Sequence, residues 1–158
     1  MDSFREEYIP NKGRIEDVIK YDRQIRLRDE ELRLIIYDVV AYPINDHLTP
    51  TSYYRGSDGV LIVFDVTNNH SMSGVKQWLQ QIDRYCGENI PRIIVANKCD
   101  KNEGVATCGK LRQDCEEVGV EYWETSAKTS FNVEEVFACL TLLIQDQKLK
   151  EQAVKHGQ

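Results

Sequence analysis

The residues from 93 to 100 constrain most strongly what this chain can fold into. They begin with Ile-Ile-Val-Ala, an apolar run typical of a strand buried on both faces of a sheet. Asn97, Lys98 and Asp100 follow directly, where such a strand ends. A second run, residues 120–124, leads in the same way into Thr-Ser-Ala-Lys. Because ligands of open α/β sheets sit at the carboxyl ends of the strands, these two strand ends predict a ligand site.

The residue types at the first strand end suit a guanine base. The short carboxylate of Asp100 can accept two parallel N–H bonds, which guanine offers through N1–H and its exocyclic amine. Adenine presents the opposite pattern of donors and acceptors, so the carboxylate would stay unpaired at a cost of about 1–3 kcal/mol. The aliphatic stem of Lys98 can lie along the face of a flat base.

The second strand end complements the first. Ser126 and Ala127 are small and let backbone N–H groups approach a base oxygen, while Lys128 covers the other side. The alternative is that both segments are ordinary polar strand ends. Their joint occurrence favours a base-binding site.

The rest of the chain alternates between strand and helix patterns, which predicts a mostly parallel sheet covered on both faces. A hairpin is expected from residues 17–27 and 32–38 around the charged turn 28–31, and a buried strand from residues 59–65. A helix is expected to open at Ser71 or Ser73 and a weaker one to span 107–118, with Leu111, Cys115 and Val118 inward. Asn132, with Glu135 three residues on, predicts the capped start of a last helix, whose frayed end is the polar segment 145–158.

Composition limits the function classes. A chain of 158 residues predicts one domain, residues 1–150, followed by a polar tail, 151–158. The net charge of -6 argues against nucleic acid as a partner. The five cysteines have no Cys-x-x-Cys spacing and are expected to be free thiols. The three histidines are scattered, which gives little support to another kind of enzyme.

Several motifs together resemble the small GTPases of the Ras superfamily, and most closely the Rab branch. Asn-Lys-x-Asp at 97–100 and Ser-Ala-Lys at 126–128 look like the guanine-binding loops of that family. Segments 53–60 (Tyr-Tyr-Arg-Gly-Ser-Asp-Gly-Val) and 64–67 (Phe-Asp-Val-Thr) are similar to Rab motifs, as is the helix 76–85. The resemblance implies a P-loop-NTPase-like three-layer α/β sandwich, mostly parallel with one antiparallel edge strand.

The resemblance also implies roles for individual residues. Asn97, Lys98 and Asp100 would select guanine, and Ser126, Ala127 and Lys128 would close the base pocket. Asp38 could contact magnesium through water, but without phosphates to bring the metal a structural role is the favoured expectation. Tyr53, Tyr54 and Arg55 would bind partners. The expected cofactor is GTP or GDP with Mg²⁺ if nucleotide is bound, and otherwise none. Expected partners are effectors or regulators of Rab-type GTPases. The expected location is cytoplasmic, peripheral to endomembranes through partners. No cysteine lies near the end of the given sequence, so no lipid anchor is implied.

The sequence departs from the family at the phosphate-handling parts. Gly-x-x-x-x-Gly-Lys-Ser/Thr occurs nowhere in it, and Asn11 stands where the family has a magnesium-binding Thr. Ala41 replaces the Gly that senses the γ-phosphate, and Tyr42 replaces the Gln that orients the attacking water. These departures predict weak nucleotide binding, very slow hydrolysis and no catalytic residue at position 42.

The resemblance further implies that the first strand and first helix of the fold are missing. That strand would lie between residues 32–38 and 59–65, so both strands would expose unpaired backbone edges. They could close up on each other, receive a strand from another chain, or mark the sequence as an N-terminally truncated Rab, which is the simplest account. A pseudo-GTPase that binds partners without nucleotide is the alternative function.

Overall fold

The computed structural model forms two compact units, Met1–Arg55 and Gly56–Gln158. It describes residues 18–39, 54–87, 89–101 and 108–156. The predictions for Asn11, Ala41, Tyr42 and Tyr53 lie outside the described residues. The prediction of a single domain stays a prediction.

The described part of the first unit is a hairpin. Strand β1 (Val18–Leu27) pairs antiparallel with β2 (Glu30–Val39), in register from Val18 opposite Val39 to Leu27 opposite Glu30. The turn is Arg28-Asp29 alone, with φ of 48° and 65°. Two consecutive residues at positive φ give the twist that matches a right-handed strand pair, so the ladder runs right up to the turn. The hairpin prediction is confirmed, but the turn is shorter than predicted because Glu30 already belongs to β2.

The half-buried side chains on one face of the hairpin include Tyr21, Ile25, Leu32, Leu34 and Ile36, although this face also carries exposed residues such as Arg23 and Asp38. On the other face, Arg33 forms an ion pair with Asp22, and the Lys20 ammonium lies 6.0 Å from the centre of the Tyr37 ring.

The second unit is built on a parallel sheet in the order β3-β4-β5. Its strands are β3 (Val60–Asp65), β4 (Arg92–Asn97) and β5 (Glu121–Glu124). Its helices are α1 (Asn69–Ser73), α2 (Val75–Cys86), α3 (Gly109–Val118) and α4 (Val133–His156). The predicted alternation of strands and helices is confirmed.

Apolar side chains cover both faces of this sheet. On one face, Ile62, Phe64, Ile94 and Ala96 belong to the same buried cluster as Ile82 of α2. On the other, Ile93 and Val95 pack with Val136 and Leu140 of α4. Because β4 contributes to both clusters, its residues 93–96 are only 0, 1, 4 and 0% exposed. This explains the continuous apolar run in the sequence.

Neither serine opens the helix after β3. The N-cap of α1 is Asn68, whose Oδ1 accepts hydrogen bonds from the N–H groups of His70 (2.9 Å) and Ser71 (3.2 Å). A short acceptor side chain in an extended backbone can satisfy these otherwise unbonded N–H groups. Gly74 then separates α1 from α2. The inward face of α2 includes Val75 and Ile82, which are each 1% exposed.

The prediction for α3 is correct at Cys115 and wrong at Val118. Cys115 is 3% exposed, whereas the Val118 side chain is 72% exposed. The helix ends there because Gly119 adopts φ +70°, and the Val120 N–H bonds back to the Cys115 carbonyl at 2.9 Å. That turn brings Val120 rather than Val118 against the core.

The last helix begins where Asn132 and Glu135 predicted, but the bonding and the length differ. Asn132 has φ +56°, and its Nδ2 donates to the Glu124 carbonyl at 2.9 Å, so it ties the helix start to the end of β5. Helix α4 continues to His156, so residues 145–156 are helical rather than frayed. The polar residues of the predicted tail that the structure describes, 151–156, belong to this helix.

Among the described strands, β2 pairs with β1, and β3 pairs with β4 at one side of the sheet β3-β4-β5. β3 is an edge strand, and Val63 in its middle is 56% exposed.

All five cysteines lie within the described residues and none forms a disulfide, as predicted. No helix in the described part of the chain is long and apolar enough to cross a membrane.

Candidate guanine-binding site

The predicted site residues of the second unit meet at the carboxyl ends of β4 and β5. The two loops are joined by backbone bonds, from the Thr125 N–H to the Ala96 carbonyl (2.9 Å) and from the Cys99 N–H to the Thr125 carbonyl (3.0 Å). Because the strands are parallel neighbours, their loops emerge at the same edge. The structure thereby brings Asn97, Lys98 and Asp100 next to Ser126, Ala127 and Lys128.

Asn97 braces the two loops. Its Oδ1 accepts from the Ala127 N–H at 3.0 Å and from the Thr125 hydroxyl at 3.3 Å. Both bonds use the oxygen and neither uses the amide nitrogen, so they do not compete with a ligand for the NH₂ group. The Ala127 N–H, which the sequence assigned to a base oxygen, bonds to Asn97 in this structure.

Ser126 holds the carboxylate predicted to read the base. Its side chain is 0% exposed, its Oγ donates to Asp100 Oδ1 at 2.6 Å, and it accepts from the Thr129 N–H at 3.2 Å. This bond lowers the pKa of Asp100, with smaller contributions from the charges of Lys101 and Lys128. Asp100 is therefore an exposed, ionised carboxylate. Two carboxylate oxygens offer about four acceptor positions, and Ser126 uses one of them.

Lys98 has an unusual backbone and a defined partner. Its φ is +67°, a left-handed conformation uncommon for a residue with a Cβ, and its carbonyl accepts from the Lys101 N–H at 2.9 Å. Its ammonium lies 2.6 Å from Asp65 Oδ2 at the end of β3. The sequence assigned Asp65 only to a strand end. The position of Asp65 at this site follows from the register of β3 and β4, in which Asp65 lies directly opposite Asn97.

The chemistry of this site fits the edge of a guanine base. Asp100 supplies an ionised acceptor pair, Asn97 an amide and Lys98 a long apolar stem. A site with these groups can bind and orient a base.

The other predicted residues that the structure describes belong to the first unit. Asp38 is exposed near the end of β2, and Tyr54 and Arg55 lie in a turn, all in the first unit. Within the described ranges, no group of three or more His, Cys, Asp or Glu residues could hold a metal ion.

Comparison with known proteins shows which family this chain is similar to. The sequence model of the Ras family matches residues 1–146. The chain is similar to the GTP-binding protein YPTM1 of Zea mays, with 37% identity over 153 residues that cover 96% of this chain and 71% of the relative. It is also similar to the Ras-related protein RABD2c of Arabidopsis thaliana, with 35% identity over 156 residues, covering 96% and 73% of the two chains. The Ras-related protein RIC1 of Oryza sativa subsp. japonica is 36% identical over 158 residues, with the same coverage.

The family match covers most of the chain, and its relatives include Rab proteins aligned over more than two thirds of their length. The parallel sheet, the flanking helices and the antiparallel pair agree with the Ras-like P-loop GTPase fold. The chain therefore belongs to the Ras family, as a Rab-like member of the small GTPases.

Proposed function

We propose that this chain is a Rab-like guanine-nucleotide-binding protein of vesicle trafficking that recognises the base through Asp100. The observation that carries the proposal is the 2.6 Å hydrogen bond by which buried Ser126 holds the Asp100 carboxylate between the two loops. A relative described as a GTP-binding protein supports it. The chain would act in the cytoplasm and reach endomembranes through its effectors and regulators.

In this proposal the protein's own groups divide the recognition of the base. Asp100 accepts N1–H and the exocyclic amine of guanine, and Asn97 and Lys98 orient the ring. Adenine would leave the carboxylate without donors, which costs about 1–3 kcal/mol. Selectivity for guanine over adenine thus follows from one carboxylate.

The phosphates are held less well than the base. The sequence contains no Gly-x-x-x-x-Gly-Lys-Ser/Thr, whose backbone N–H groups and Lys neutralise phosphates. Tyr42, at the position of the water-orienting Gln, has no amide for that task. The 158-residue chain would therefore gain little affinity from phosphates or magnesium and hydrolyse GTP very slowly.

Titration calorimetry with nucleosides tests the base site without involving phosphates. We expect guanosine to bind at least about tenfold more tightly than adenosine. Asp100→Asn should weaken guanosine by about tenfold or more and strengthen xanthosine, because xanthine carries a carbonyl where guanine carries the amine. Asp29→Asn removes the same charge from a carboxylate that is 98% exposed in the hairpin turn, and it should change neither affinity.

Two results would contradict the proposal. Equal affinity for guanosine and adenosine, or guanosine binding that survives Asp100→Asn, would remove Asp100 as the base-reading group. Tight GTP binding that depends on magnesium would overturn the weak role assigned to the phosphates.

A nucleotide-independent interaction module is the second candidate function. It is favoured by two apolar side chains on the same face of the hairpin, Ile35 and Tyr37, each 46% exposed. Tyr54 and Arg55 would belong to the same partner-binding role. A folded chain that binds no guanosine, yet binds purified Rab effectors equally with and without GDP, and loses them on Tyr37→Ala, would establish this candidate instead.

A further inference from the structure

The two carboxylate oxygens of Asp65 bind different neighbours, Lys98 and Thr67. Its Oδ2 lies 2.6 Å from the Lys98 ammonium. Its Oδ1 accepts from the Thr67 N–H at 2.9 Å and from the Thr67 hydroxyl at 2.7 Å. Each oxygen thus has its own partner, and the pair with Lys98 does not compete with the turn that follows β3.

Asp65 is also fixed by its backbone. Its N–H donates to Ser71 Oγ at 3.2 Å, its carbonyl accepts from the Asn68 N–H at 3.0 Å, and it lies opposite Asn97 in the β3–β4 ladder. The Asp65 side chain is only 22% exposed, whereas that of Lys98 is 54% exposed. The more mobile partner is therefore held by the more rigid one.

The protonation state supports this arrangement. Partial burial alone would raise the pKa of Asp65, but the bonds from Lys98 and Thr67 outweigh it and hold the pKa below its usual value. The carboxylate is therefore charged at neutral pH and compensates the charge of Lys98.

We propose that Asp65 is a positioning residue for base binding, which holds the Lys98 side chain across the carboxyl end of the sheet and neutralises its charge. This inference rests on the proposed guanine site. A free lysine loses much rotamer freedom when it is ordered against a ligand. The ion pair with Asp65 already restricts the Lys98 rotamers before the base binds. Base binding then does not have to offset that loss of entropy, which is the general benefit of a preorganised site. It also makes Lys98 present its apolar stem to a base rather than an uncompensated cation to phosphates.

The test is a double-mutant cycle on guanosine affinity. Asp65→Asn keeps an Oδ1 acceptor for Thr67 but loses the charge that pairs with Lys98. We expect it to weaken guanosine binding by about threefold to tenfold. Lys98→Met keeps most of the apolar stem and cannot form the ion pair. In the Lys98→Met background, Asp65→Asn should therefore change the affinity by less than about twofold.

The ratio of GDP to guanosine affinity gives a second readout that a merely structural role would not move. Asp65→Asn leaves the Lys98 ammonium without its counter-charge, so the ratio should rise by about threefold or more. Asp58→Asn is the matched control, because Asp58 forms an ion pair of similar length, 2.7 Å, with Lys148 in the same unit. It should leave both the guanosine affinity and the ratio unchanged.

The possible failures are distinguishable. If the wild-type chain does not bind guanosine, the proposed function fails and this inference fails with it. If the wild type binds but the Asp65→Asn effect is the same with and without Lys98, the inference alone is wrong. An unchanged ratio of GDP to guanosine affinity in a folded Asp65→Asn variant would overturn it in the same way.

Discussion

The hairpin and the three-stranded sheet are held together in different ways. β1 and β2 form a ten-pair ladder, yet every residue from 19 to 39 is half-buried or exposed. β4 makes a shorter ladder with each neighbour, but its residues 93–96 are all 4% exposed or less. The hairpin depends on backbone bonds and cross-strand pairs, whereas the sheet depends on apolar burial on both faces.

This difference explains where the candidate site lies. A ligand site needs side chains fixed by neighbours that do not move. Asn97 and Ser126 meet that condition because the strands preceding them end in a packed core. Asp38 lies in β2, a strand that contributes no fully buried residue. The residues proposed to read the base thus belong to the unit that contains the buried core.

Removing a buried methyl-bearing side chain gives the largest expected contrast between the two units. Ile94→Ala should lower the free energy of unfolding of the second unit by about 2–5 kcal/mol, because the side chain is 1% exposed and leaves a cavity. Ile35→Ala, the same change at a side chain that is 46% exposed, should cost less than about 1 kcal/mol. Urea unfolding followed by tryptophan fluorescence measures the first effect, since Trp78 and Trp123 both lie in the second unit. Amide hydrogen exchange in β1 and β2 measures the effect of Ile35→Ala. Equal losses would mean that the units do not differ in their dependence on burial.

Overfilling the contact between β3 and α4 should have the next largest effect. A Cβ at Gly59 would lie 2.7 Å from Ile144 Cδ1 and 3.0 Å from Leu140 Cδ1. Gly59→Ala should therefore destabilise the second unit by about 1–3 kcal/mol in the same urea experiment. Gly109→Ala is the control, because no atom lies within 4 Å of its added Cβ and the residue starts α3. A Gly59→Ala chain as stable as the wild type would show that the ends of the Ile144 and Leu140 side chains can move aside.

The strands of the sheet and the positions of the site residues could be predicted from the sequence because both depend on local patterns. A continuous apolar run signals a strand buried on both faces, and the polar residues after it are fixed by chain continuity, so Asn97, Asp100 and Ser126 could be located in advance. Features that depend on register or on the exact end of an element could not. The pair of Asp65 with Lys98 requires the alignment of β3 with β4. The exposure of Val118 follows from the turn at Gly119, since helical spacing alone places Val118 inward.

A smaller effect is expected at the hydrogen bond that joins the two loops. Ser126→Ala removes the bond that lowers the pKa of Asp100, so that pKa should rise toward the usual value of 3.8. A lowered pKa in the folded state stabilises the fold above the pKa of the unfolded chain, and this contribution is lost as pH falls through the folded value. The stability difference between wild type and Ser126→Ala should therefore shrink as the pH is lowered through that range. Carboxyl carbon NMR titration measures the pKa directly. Thr129→Ala, which keeps the Ser126 hydroxyl, should leave the pKa of Asp100 in place.

The smallest effect is expected at the ion pair between Arg33 and Asp22 of the hairpin. Arg33 Nε lies 3.0 Å from both carboxylate oxygens of Asp22, but the Arg33 and Asp22 side chains are 66% and 45% exposed, so solvent screens the pair. Arg33→Ala should speed amide exchange in β1 and β2 by about fivefold at most.

The difference in exchange rate between Arg33→Ala and the wild type should vanish in 1 M salt, where the screening length is about 3 Å. It should also vanish at low pH, because the bond from Arg33 lowers the pKa of Asp22 and its benefit is lost as that carboxylate is protonated. Arg26→Ala, which removes a longer contact of 3.7 Å with Asp29, serves as the control and should change exchange less. A loss of hairpin protection as large as the effect of Ile94→Ala on the sheet would mean that polar cross-strand pairs can replace apolar burial.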